Sequence, residues 1–70
     1  MFEIDTVDDG IVFSFNRLDW EVTRVIDVIN DIKDIVPKEA RSYDPDTRSW
    51  WVATAYALVV KNLLSTYGLI

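Results

Sequence analysis

Residues 40–52 of this chain, Ala-Arg-Ser-Tyr-Asp-Pro-Asp-Thr-Arg-Ser-Trp-Trp-Val, hold the densest set of side chains able to bind something. Tyr43, Trp50 and Trp51 offer flat aromatic surface, while Arg41, Arg48 and the nearby Lys38 offer positive charge. That combination suits unpaired nucleic acid, because a base stacked on an aromatic ring gains about 1–3 kcal/mol and the cations take the phosphates. Adjacent residues of a strand point to opposite faces, so an extended segment sends Trp50 and Trp51 to different sides. One ring can then join a core and the other must lie on the open face. Trp51, with Arg41, Tyr43, Arg48 and Lys38, is the expected nucleic-acid-binding set. The competing reading has the outer ring packed on a helix, a loop or a second copy of the chain.

A second set is acidic. Asp27, Asp31 and Asp34 recur at spacings of four and three, which places them on one stripe of a helix. Negative charge near a helix C-terminus opposes the macrodipole at a cost of about 0.3–1 kcal/mol. The stripe is therefore read either as a solvated face or as a docking surface for a basic protein partner. A third set, Asp5, Asp8 and Asp9, has the oxygen ligands a divalent cation takes. Turn preferences assign it instead to two turn positions and a solvent-facing strand position, so no metal is expected. The chain has no cysteine and no histidine, which removes thiol and imidazole chemistry, and its two glycines cannot make a phosphate-cradling loop. No enzymatic activity and no cofactor are expected.

Seventy residues carry one domain, half of them hydrophobic, with a net charge of −5. Nine of the twelve acids precede residue 38 and face only Arg17, Arg24 and Lys33 there, whereas residues 38–52 balance three acids with three bases. The broad basic footprint typical of nucleic-acid binders is missing. Few phosphate contacts are available, on the order of three or four, so unaided binding should be weak. A homodimer or a basic protein partner would raise it. The longest apolar run, residues 55–60, is too short to cross a bilayer. With no basic, apolar leader at residues 1–5, the expected location is cytoplasmic.

Residues 2–7 and 11–16 alternate apolar and polar side chains around Asp8-Asp9-Gly10. This predicts a hairpin with Asp9 and Gly10 central in a two-residue turn, and with Phe2, Ile4, Ile11, Phe13 and Phe15 on one face. From Asp19 the period lengthens. Leu18, Val22, Val25, Ile29, Ile32 and Val36, joined by Ile26 and Ile35, predict one amphipathic helix over about residues 19–35, capped by Asp19 and stopped by Pro37. Strands at 39–44 and 49–53 flank an Asp44-Pro-Asp-Thr47 turn, and Thr54 caps a last helix over about 55–67 that Gly68 ends. The expected fold is α+β, in ββαββα order, with an antiparallel four-stranded sheet and two helices on one face. The order of the two hairpins in that sheet is left open.

Tyr43-Asp44-Pro45, Thr47-Arg48 and Trp50, with Arg41 two places before the tyrosine and Ile32-Lys33-Asp-Ile-Val-Pro37 before that, resemble the HARP domain. That small module stands beside the motor of annealing helicases, and the resemblance spans about residues 25–54. It implies a ββαββα order and binding to single-stranded or forked DNA. The alternative is a protein-interaction or homo-oligomerisation module that uses the open sheet face and the acidic helix stripe.

Overall fold

The computed structural model describes residues 2–70. Two hairpins, β1 (Glu3–Val7) with β2 (Gly10–Ser14) and β3 (Arg41–Asp44) with β4 (Ser49–Ala53), join into one antiparallel sheet of order β1-β2-β4-β3. Between them run helices α1 (Arg17–Val22) and α2 (Val25–Ile35), and α3 (Thr54–Thr66) follows β4 directly. The α+β class and the four antiparallel strands agree with the sequence. Among the described residues there are three helices rather than two.

Strand parity decides the two sides of the sheet. Ile11 pairs with Val52, and Phe13 pairs with both Ile4 and Trp50. These residues turn toward the helices, where Ile11, Phe13 and Val52 join Val28, Ile32, Val36, Val60 and Leu64 in a closed core. Phe2, Phe13 and Phe15 stack in mutually tilted or edge-on pairs at 5.4–6.1 Å at one end of it. The predicted face of the first hairpin is thus the core face. Its register is different: Val7 pairs with Gly10, so Asp8 and Asp9 form the turn. Of the described residues, Arg48 and Gly68 have positive φ, and Gly10 does not. Gly10 serves a different need, close approach of strands. A Cβ there would stand 2.0 Å from the carbonyl oxygen of Val52.

The single predicted helix over 19–35 is two. Asn16, not Asp19, caps α1: its Oδ1 accepts from the Asp19 backbone N–H, and Asp19 Oδ2 accepts from the Asn16 N–H, both at 2.9 Å. This reciprocal pair satisfies two orphan amide donors and pins the start of the helix. Thr23 then leaves helical geometry, with φ −134° and ψ 149°, and α2 begins after Arg24. The buried stripe differs from the one periodicity assigns. Val25, Val28, Ile32 and Val36 are buried, whereas Leu18, Val22, Ile26 and Ile35 are exposed, although periodicity alone assigns them to the core.

The other boundaries shift less. Residues 38–40 make a 3-10 turn, so β3 starts at Arg41. Ala53 occupies the N-cap position of α3 and Thr54 is already helical, without a side-chain cap. The Thr54 N–H instead donates to the Asp9 carbonyl at 3.1 Å, tying the first turn to the start of α3. Gly68, at φ 79°, ends that helix as expected, with its N–H donating to Ser65 and the Leu69 N–H donating to Leu64.

Candidate functional site

The β3–β4 hairpin closes with Asp44 opposite Ser49, leaving residues 45–48 as its loop. Asp44 Oδ1 accepts from the Asp46 N–H at 2.9 Å, and Arg48 takes the left-handed conformation at φ 56°. Such a residue costs about 1–2 kcal/mol relative to its usual conformation. The loop thereby lifts the Arg48 side chain over the helix side of the sheet, where it lines a cleft of about 540 Å³.

Four aromatic rings and two arginines line that cleft: Phe15, Trp20, Tyr43 and Trp50 with Arg17 and Arg48, and Ile29 completes the wall. Tyr43 and Trp50 are cross-strand neighbours whose rings lie 5.0 Å apart, and Lys33 Nζ sits 5.9 Å from the Trp50 ring centroid. Trp20 and Tyr43 are each about half exposed, at 50% and 47%. Arg17 reaches only a loose ion pair with Glu21 at 3.7 Å and is otherwise in water. Two arginines and exposed aromatic surface therefore meet at one opening, with Lys33 close to the Trp50 ring, in a chain that is acidic overall.

The residues expected to act together are divided by the sheet. Arg41 and Tyr43 pair with Val52 and Trp50, which puts them on the helix side, whereas Trp51 pairs with Val12 and Ser42 on the open side. Trp51 cannot share a ligand face with Arg41 and Tyr43. Arg41 is also committed elsewhere, since its Nε donates to the Val36 carbonyl at 3.0 Å and ties β3 to the end of α2. Lys38, exposed in the 3-10 turn, precedes the end of β3 far from the loop and does not line the cleft. Tyr43 and Arg48 remain from the expected set. Trp20 and Arg17 were missed, because they lie in α1, which periodicity merges into a longer helix. The signal that finds them is the Asn16-x-x-Asp19 capping pair, which starts a separate helix at Arg17.

The acidic stripe is likewise not one open surface. Asp31 accepts the Tyr67 hydroxyl hydrogen bond at 2.5 Å, joining α2 to α3, and Asp27 pairs with Arg24 at 3.3 Å. Asp34 is the exposed member. The hydrogen bond to Asp31 raises the Tyr67 phenol above its ordinary value of 10.0, and partial burial and the charges of Asp31 and Asp27 push the same way. A pKa raised by folding stabilises the fold below the unfolded value, and that contribution is lost as pH rises through the folded value. Alkaline titration followed by phenolate absorbance should therefore show one tyrosine ionising late, absent in Tyr67→Phe and moved toward the ordinary range in Asp31→Asn. A Tyr67 titration unchanged by Asp31→Asn would contradict this coupling.

Among the described residues no group of three or more acidic side chains is placed to hold a metal ion. Asp8 and Asp9 form the turn, and Asp9 Oδ1 accepts from the Trp51 indole N–H at 3.1 Å. No described helix is long and apolar enough to cross a membrane.

Fold and cleft together define a small antiparallel α+β domain with an aromatic, cation-edged recess on the helix side of its sheet. No protein-family model, curated protein or solved structure matches the chain.

Proposed function

We propose that this domain is a non-enzymatic binding module that takes unpaired nucleic acid weakly, in the cleft between α1 and the β3–β4 hairpin. The observation that carries the reading is the convergence of Trp20, Tyr43 and Trp50 with Arg17 and Arg48 at one opening, with Lys33 near the Trp50 ring. Stacking platforms beside cations are what a single strand needs. The likeness of the segment around Tyr43 and Trp50 to the HARP domain supports the same substrate class, single-stranded or forked DNA. Duplex offers no exposed base faces to a recess of this size. The net charge of −5 limits affinity and leaves room for a basic protein that contributes further phosphate contacts.

Fluorescence titration with single-stranded, forked and duplex oligonucleotides at low salt tests the reading. Single strands and forks should quench tryptophan emission with a dissociation constant in the range of about 10⁻⁴–10⁻⁶ M, and duplex should bind less well. With Arg17 and Arg48 at the cleft and Lys33 near Trp50, the logarithmic salt dependence should be about −1.4 to −2. Trp20→Ala should weaken binding by roughly 1–3 kcal/mol. Arg48→Gly keeps the left-handed loop position, relieves its strain and should lower the salt slope by about 0.7. No binding at about 100 μM protein in low salt, or binding indifferent to both substitutions, would sink the proposal.

A second reading, self-association, rests on a separate observation. Leu18, Val22 and Ile26 are 54%, 70% and 56% exposed within nine residues of chain. Light scattering on the same samples without nucleic acid separates the two, since self-association makes the measured mass rise with concentration.

A further inference from the structure

The sheet's open side has the opposite chemistry. Glu3 and Asp5 on β1 and Asp44 on β3 project from the two edge strands and are exposed. Strand parity places no lysine or arginine on this side among the described residues. Trp51 stands at the centre, in a cross-strand row that runs Asp5, Val12, Trp51, Ser42. At about 4.8 Å between strands, Asp5 is about 10 Å from it. Its neighbours Val12, Ser42 and Ser49 are small, and a shallow groove of about 410 Å³ runs among them to Asp44 and Thr47.

The indole does not move freely. Its N–H is held by Asp9, and it crosses Gly10 so closely that a Cβ there would be 3.0 Å from Nε1. The Nε1 edge of the ring is therefore fixed beside the Gly10 backbone, and the residue is only half-buried. Covering a strand glycine with an aromatic ring is a known way to support the sheet. That role does not account for the one-sided charge around it. A fixed indole on a sheet face with carboxylates, and with no strand lysine or arginine on that face among the described residues, is complementary to arginine, whose guanidinium stacks on the ring and forks onto carboxylates. The same carboxylates repel phosphate, so nucleic acid is disfavoured here.

We infer that the open sheet face docks an arginine-bearing basic segment of a partner protein, with one guanidinium on Trp51 and flanking cations on Asp5 and Asp44. The segment would lie across the sheet opposite the cleft, so both surfaces can be occupied at once. The docking face does not depend on the cleft's function.

Anisotropy of fluorescein-labelled hexa-arginine at low salt tests it. The probe should bind saturably, more tightly than hexalysine, and lose affinity with added salt. Trp51→Ala should weaken binding by about two- to fivefold, as for an exposed cation–ring contact. The Asp5→Asn/Asp44→Asn variant retains the Oδ1 acceptor of Asp44 and should fold normally, yet weaken binding at least about threefold. Circular dichroism melts check that both variants fold. The inference is overturned if that double variant binds as the parent does, or if Asp27→Asn/Asp34→Asn weakens binding equally, which would mean general acidity. It is also overturned if light scattering shows Trp51→Ala dispersing a dimer, or if single-stranded DNA binding is abolished by Trp51→Ala and spared by Trp20→Ala.

Discussion

Gly10→Ala should cost about 3 kcal/mol, near the top of the range for overpacking, and lower the midpoint of thermal unfolding by more than about 10 °C. The added methyl would meet the Val52 carbonyl carbon at 2.9 Å and its oxygen at 2.0 Å. Both are backbone atoms of the neighbouring central strand, so no rotamer change relieves the collision, and β2 must separate from β4. The pair is central to the sheet order β1-β2-β4-β3, and its separation would open the core between Ile11 and Val52. The Trp51 indole would also be displaced from Asp9, so its emission should shift to the red as water reaches the ring. Gly68→Ala is the control. A methyl there meets nothing within 4 Å, but φ is 79°, so the cost is conformational, about 1–2 kcal/mol. If Gly68→Ala proves the more damaging of the two, the close strand approach at Gly10 is not what that glycine provides.

Val28→Asp should abolish folding, whereas Ile26→Asp should leave stability within about 0.5 kcal/mol. Val28 is fully enclosed at 0% exposure, and Ile26 is 56% exposed. An aspartate at position 28 would place a charge in the core cluster with Ile32, Val60 and Leu64 and without a cation beside it. Removing such a charge from water costs several kcal/mol, which is comparable with the whole stability of a domain this small. At position 26 the same carboxylate would enter the first turn of α2, where the helix dipole favours it. Apolar spacing in one continuous helix makes the opposite assignment, placing Ile26 with the core residues and leaving out Val28. Circular dichroism of the two variants therefore tests directly which face of α2 the core takes.

The two surfaces of the domain rest on the same sheet, which explains how an acidic chain can carry a cationic cleft. Arg17, Arg48 and Lys33 gather around Trp20, Tyr43 and Trp50, while Glu3, Asp5 and Asp44 face the other way. Net charge alone averages these together. Sorting charge by face recovers a local preference that the total of −5 conceals.

Several features needed only the sequence because their causes are local. Alternation with period two set Phe2, Ile4, Ile11, Phe13 and Phe15 on one face. The face of the first hairpin holds despite its shifted turn because a two-residue slip preserves parity, and the same alternation separated Trp50 from Trp51. The Asp44-Pro-Asp-Thr47 turn and the Gly68 stop were legible for the same reason, since each follows from the dihedral preferences of a few adjacent residues.

What the tertiary structure decided depends on atoms distant in sequence. The Asp9-Gly10 pair satisfies a hairpin-turn pattern, yet Gly10 is required by Val52, more than forty residues away, and the turn moves to Asp8 and Asp9. The order of the hairpins determines that Trp50 meets Phe13 and that Trp51 meets Val12 and Ser42. Trp20 lines the cleft only because the Asn16 cap and the break at Thr23 set α1 apart and place it across from the hairpin. The hairpin's two tryptophans were always bound to face apart, because alternation is a property of the strand. Which of them looks into a cationic cleft and which onto a field of carboxylates follows from where the helices pack, and that is a property of the whole fold.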